Sequence, residues 1–206
     1  MPDLIETSRR LMISRGACTE GVGAAVGDFL AKHPTRTSLA RSERVALLEV
    51  LDTVGIDDTL RAGAYVYKHQ EAERDRIFRL FAADCAERAL FRERAAGREP
   101  DARSWAAVAV ARRYAVGEAT AGELQAARAA ASAATAAASA YAAAYAAYAA
   151  AYAAYAADAS AATDAAAYAA AADAAAAYTD AERKWQVARL RLYLTGCTQI
   201  PEVTLD

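Results

Sequence analysis

Between Gly122 and Gly196 the chain has neither glycine nor proline, and residues 129–157 carry no charge. At the centre lies "AYAAAYAAYAAAYAAYAADAS" (140–160), almost wholly alanine and tyrosine. Alanine has the highest helix propensity, so local preference alone predicts helix here. A start signal precedes it: in "TAGE", Thr120 and Glu123 have the spacing of a capping box. One unbroken helix from Thr120 to Tyr178 would be roughly 88 Å long at the α-helical rise. A compact globule of this chain length has a diameter of roughly 45 Å. Either the helix protrudes as a rod or it breaks and folds back. Tyr141, Tyr145, Tyr148, Tyr152 and Tyr155 alternate by four and three, a heptad seam, whereas Tyr168 and Tyr178 fall out of register. Asp158, Ser160, Thr163 and Asp164 compete for backbone hydrogen bonds, which places the expected kink or turn at 158–164.

Five rings on one helical line must face something. The first reading is packing, against helices of residues 70–118 or against a second copy of the seam, because aromatic stripes at helical spacing usually make cores. That reading expects Tyr145, Tyr148 and Tyr152 to be at least half-buried. The second is a surface for stacking a planar ligand or docking a protein. A monomer could cover one face of so uncharged a helix and would leave an apolar strip that monomers rarely expose. A homodimer through identical seams is therefore expected. The uncharged stretch is long enough to span a bilayer. It lacks leucine, isoleucine, valine and phenylalanine, however, and tyrosine prefers the interface to the bilayer centre. No membrane partner is expected.

Elsewhere helical signals recur. "SERVALLEVLDTV" predicts a helix capped by Ser42, with Val45, Leu48 and Leu51 inward and Gly55 as terminator. A short helix follows from Asp57 or Asp58. "EAERDRIFRLFAADCAERALFRERAAG" places Ile77, Leu80, Phe81, Cys85, Ala89 and Phe91 near one face, with the charges opposite. Gly97 and Pro100 end it. "DARSWAAVAVARRYAVGE" forms the next, from Asp101 or Ser104 to Gly117. Thr179 and Glu182 suggest a second capping box and a helix over 180–194. With four prolines and ten glycines in 206 residues, the expected fold is all-α: a helical bundle with a long Ala/Tyr-rich helix or kinked helical hairpin. The expected divisions are 1–118, an N-terminal helical region; 119–178, the Ala/Tyr tract; and 179–206, a C-terminal helix and tail.

The chemistry is sparse. Cys18, Cys85 and Cys197 are an odd number without paired spacing, which suits free thiols in a reducing cytoplasm. "GVGAAVG" lacks the strand and βαβ context of a dinucleotide fingerprint. His33 and His69 stand apart, and His69 with Glu73 reads as a solvated i,i+4 pair more readily than a metal site. No nucleophile–base or paired-carboxylate set assembles, so no enzyme, metal or cofactor is expected. A net charge of −2 gives no bulk attraction to nucleic acid. Residues 61–113 nevertheless hold twelve Arg or Lys against eight Asp or Glu. Arg74, Arg88, Arg98, Arg103, Arg112 and Arg113 are candidates for a basic patch. Beside the tyrosine seam, Arg103, Arg112 and Arg113 would suit an anionic ligand with a base to stack.

"DCAERAL" (84–90) and "PDARSWAAVAVARRYAVGEATAGELQAAR" (100–128), followed by the alanine-aromatic tract, resemble an alanine-rich immunity-protein family of bacteria and their phages. "GACTEGV" and "LLEVLDTVGIDDTLRAGAY" resemble its amino-terminal portion more weakly. Members usually carry arginine, aspartate and tryptophan through the tract; this chain has tyrosine and no arginine from 129 to 182. The resemblance implies neutralisation of a toxin or defence effector and supplies no catalytic residues. The expected function is non-enzymatic binding in bacterial or phage conflict. The alternatives are sequestration of a small nucleotide-like signal by the tyrosines and arginines, and a structural or scaffolding role. The expected partner is a protein or a nucleotide-like ligand.

Overall fold

The computed structural model describes residues 4–137, 180–197 and 199–205, and these are mostly helical, with a two-strand sheet. The chain is an all-α bundle. Strand β1 is Glu6–Thr7, followed by α1 (Arg9–Ser14), α2 (Thr19–Lys32) and strand β2 (Val45–Ala46). Helices α3 (Leu47–Val54), α4 (Ile56–Gly63), α5 (Glu71–Ala95), α6 (Ala102–Ala115) and α7 (Ala121–Ala137) follow, with α8 at Asp180–Leu194. Tyr141, Tyr145, Tyr148, Tyr152 and Tyr155, the expected kink at 158–164 and the expected seam dimer all fall outside the described residues. Among the described residues no helix is long and apolar enough to cross a membrane.

The sequence expectation of a helix beginning at Ser42 is corrected. Val45 and Ala46 form a strand that pairs antiparallel with β1, and α3 starts only at Leu47. The β-branched Val45 is buried at 4% exposure in this ribbon, a position that favours strand over helix. The side-chain amide of Gln70, in a 3-10 turn at Lys68–Gln70, bonds the other edge of the chain at β1: its Oε1 accepts from Glu6 N–H (3.0 Å) and its Nε2 donates to Leu4 O (2.8 Å). The glycine stops hold, with Gly55, Gly97 and Gly117 at φ of 91°, 78° and 81°, in the left-handed region that glycine enters without steric cost. The first capping box is present: Thr120 N–H donates to Glu123 Oε2 (2.8 Å) and Glu123 N–H to Thr120 Oγ1 (3.2 Å).

Helix α5 is the centre of the bundle, packed against α6 and α8, while α6 also carries α7. Phe78, Phe81 and Leu90 of α5 are fully buried, as are Leu124 of α7 and Leu190 of α8. Helix α4 approaches α5 closely at Gly63. A Cβ built there would lie 2.3 Å from the Phe78 ring, and the Gly63 carbonyl accepts from Arg74 Nη1 at 2.5 Å. Gly63→Ala should therefore lower stability by about 1–3 kcal/mol through overpacking. A reduced denaturant midpoint at unchanged slope is the expected measurement.

The picture of α5 with apolar residues on one side and charges on the other is also corrected. Ile77, Phe81, Cys85 and Ala89 are buried as expected, yet Arg74, Asp75, Asp84, Arg88 and Glu93 are buried too. A helix covered on several sides must bury some charges, and it does so only in pairs.

Candidate functional site

The buried charges form a scaffold around Asp84, which is wholly inaccessible. Its Oδ2 accepts from Arg189 Nε at 2.5 Å and from the Tyr193 hydroxyl at 2.6 Å. Its Oδ1 lies 2.5 Å from Arg112 Nη1, and the same guanidinium reaches Glu87. Two carboxylates thus face two guanidiniums, a neutral set joining α5, α6 and α8. Burial pushes the Glu87 carboxyl above its usual range despite Arg112. Burial, with the Asp84 charge adding to it, keeps the Tyr193 hydroxyl protonated far above the ordinary phenol range. In both groups burial favours the neutral form.

A second junction ties the C-terminal helix to α5. Glu182, 2% exposed, accepts from Arg88 Nε at 3.1 Å and from Arg92 Nη2. Trp185 lies beneath two cations, with the guanidinium carbons of Arg88 and Arg189 at 4.5 and 5.7 Å from its ring centroid. These are cation–π contacts at distances where the ring quadrupole attracts.

The arginines singled out in the sequence sit in pairs. Arg74 pairs with Asp75, Arg88 with Glu182, Arg98 with Glu93 and Arg103 with Asp101. Arg112 pairs with Asp84 and Glu87, and Arg113 with Glu123. Nor are Arg103, Arg112 and Arg113 gathered in one place. Arg103 opens α6, where its side-chain and backbone hydrogen bonds hold the Asp101 carboxyl at about 2. Arg112 and Arg113 lie at the other end, roughly 14 Å along the axis, where Arg113 also donates to the Glu118 carbonyl (2.9 Å). The motif residues that carry the family resemblance therefore have internal partners: Asp84, Glu87, Arg88, Arg112, Arg113, Thr120 and Glu123.

A concave feature lies at the amino-terminal end, in residues to which the sequence analysis assigns no binding role. A cavity of about 510 Å³ opens between β1–α1, α2, α3 and α4, within the range of roughly 300–1,000 Å³ usual for small-ligand sites. Val22, Ala25, Val26, Leu39 and Val50 give it aliphatic walls, and Phe29 and Tyr65 add aromatic ones. Helix α2 leaves the space because of what it lacks. Gly21 and Ala25, one turn apart, line the cavity, and a Cβ on Gly21 would meet only Cys18 Cβ at 3.9 Å. The three glycines of α2, Gly21, Gly23 and Gly27, each cost about 1 kcal/mol of helix propensity relative to alanine. A run of locally unfavourable choices beside a cavity is where function is to be sought.

Polar groups reach the cavity from β1, α1, α2 and α4. Thr7 Oγ1 donates to the Tyr65 carbonyl at 2.6 Å, Ser8 Oγ accepts from Leu11 N–H and the Tyr67 hydroxyl, each at 3.2 Å, and Asp58 pairs with Arg61. Arg9 differs. Its Nε is buried with no hydrogen-bond partner among the described residues. Cys18 lines the same space as N-cap of α2. The backbone N–H groups of Gly21, then Glu20, draw its thiol below the usual range, as expected at a helix start. The thiolate fraction governs alkylation, so Cys18 should react with iodoacetamide before the exposed Cys197, and the buried Cys85 only on unfolding. Peptide mapping of a time course reads that order directly.

His33 and Glu49 pair at 3.0 Å, and Glu49 also holds Arg36. Among the described residues no group of three His, Cys, Asp or Glu side chains stands close enough to hold a metal ion. No protein-family model matches the chain, and neither a curated protein nor a solved structure matches it.

Proposed function

We propose that this chain is a non-enzymatic binding protein of bacterial and phage conflict, an immunity or counter-defence protein that takes a small ligand in its amino-terminal cavity. The cavity carries the reading: it combines mostly aliphatic walls with one unpartnered guanidinium nitrogen, of Arg9 on α1, across from α2, where Gly21 leaves space. The conflict setting is the part that the ordered motifs of residues 84–128 imply. A nucleotide-like signal fits less well, because the arginines available to it face carboxylates of their own chain and the cavity walls are mostly aliphatic.

Native mass spectrometry of protein purified without denaturation tests the binding. The expected spectrum shows a small-molecule adduct on the 21.7 kDa chain, lost on denaturation and absent from an Ala25→Phe variant. Plating phages on defence-bearing bacterial strains, with and without the gene, tests the setting, and the variant should lose any effect. An adduct-free spectrum, together with no thermal shift against extracts of the host, would overturn the binding reading.

A further inference from the structure

The chemistry of the cavity narrows what it can hold. Its charged lining residues are Arg9, Asp58 and Arg61. Asp58 and Arg61 neutralise one another at 3.2 Å, so Arg9 leaves a surplus of one positive charge. Thr7 and Ser8 already have partners within the fold. A buried donor without a partner is costly unless a ligand completes it. The planar fork of arginine matches a carboxylate, with two parallel N–H donors for two oxygens. One surplus charge balances a singly charged anion and leaves a dianionic phosphate half-compensated. The remaining lining is mostly aliphatic, supplied by Val22, Val26, Leu39, Val50 and Val54, with two aromatic rings, Phe29 and Tyr65. Such walls favour an alkyl chain over a flat heteroaromatic ring, whose polar edges would find few donors or acceptors there.

We propose that the cavity binds a linear aliphatic carboxylate, its alkyl chain between α2 and α3 and its carboxylate on Arg9. The inference rests on reading the cavity as a ligand site and adds the class of ligand. Decanoate is the probe, with decanol as its neutral counterpart of equal chain length and shorter and longer saturated carboxylates to gauge the fit. Binding is read by calorimetry and by protection of Cys18 from iodoacetamide, in a Cys197→Ser background so that one accessible thiol remains.

Decanoate should bind about ten-fold or more tightly than decanol, the discrimination expected of a charge-assisted pair. Arg9→Gln should bring decanoate down to the level of decanol without changing decanol binding, which also shows that the variant is folded. Arg9→Lys should recover part of the difference. Equal binding of decanoate and decanol, or decanoate binding indifferent to Arg9→Gln, overturns the carboxylate while leaving the cavity a ligand site. If neither probe binds and native spectra show a neutral or aromatic adduct, the class is likewise wrong. If neither binds and no adduct exists, the cavity reading itself falls. A Cys18 that resists iodoacetamide in protein whose native spectrum shows no adduct would mean that the chain fills its own cavity, which overturns both.

Discussion

Asp84→Ala should destabilise the bundle by about 3–5 kcal/mol, the usual cost of removing one partner from a buried ion pair. The loss goes beyond a hydrogen bond. Arg189 is 5% exposed and would keep its charge with no carboxylate at Nε, while the Tyr193 hydroxyl, also buried, would lose its acceptor. Arg112 suffers less, because its side chain is 31% exposed and retains Glu87. The double variant Asp84→Leu/Arg189→Met should be more stable than Asp84→Leu alone, since replacing both members of a buried pair with apolar groups is often near neutral. Urea unfolding of the four proteins gives the comparison. A cost below about 1 kcal/mol for Asp84→Ala would place this cluster with exposed ion pairs and remove Asp84 as the joint of the three helices.

Local signals were legible in the sequence because their physics is local. Glycines at the left-handed positions 55, 97 and 117 end helices where expected, and the box of Thr120 and Glu123 forms because both groups lie within one turn. The apolar face of α5 was visible at 3.6-residue spacing. Partners of buried charges were not. Asp84 and Arg189 lie 105 residues apart, and Glu182 and Arg88 lie 94 apart. Helical periodicity registers only i,i+3 and i,i+4 neighbours. Glu182 shows the difference well: the cap suggested by its place three residues after Thr179 lies partly outside the described residues, while its carboxylate meets Arg88 and Arg92, 94 and 90 residues away. The strand at Val45–Ala46 needed a partner, β1, that only the fold supplies. The cavity was harder still, since it arises from side chains that are missing at Gly21 and Ala25. A sign was present in the three glycines of "TEGVGAAVGDF", too many for a helix chosen for stability alone.

The same reasoning makes Glu182 the other position of large effect. Helix α8 packs against α5 and α3. Burial of Leu190 and Leu194 secures α8 through apolar contact, and Glu182 is a second charged tie to α5 beside the pair of Arg189 with Asp84. Glu182→Ala would take the Glu182 carboxylate from Arg88, itself 7% exposed and stacked on Trp185, and should cost about 3–5 kcal/mol. Glu182→Gln separates shape from charge: it keeps an acceptor for Arg88 and removes the negative charge, and should fall between wild type and alanine. Trp185 reports the event from within, because loss of Glu182 frees the guanidinium above its ring and should change its fluorescence, most clearly in a Trp105→Phe background. Protease cleavage within 180–197 should accelerate in the alanine variant while α5 and α6 stay protected, as expected when one element opens before the rest. Unchanged stability together with unchanged Trp185 emission would show that α8 is held without Glu182, by Leu190, Leu194 and the bonds of Arg189 and Tyr193 to Asp84.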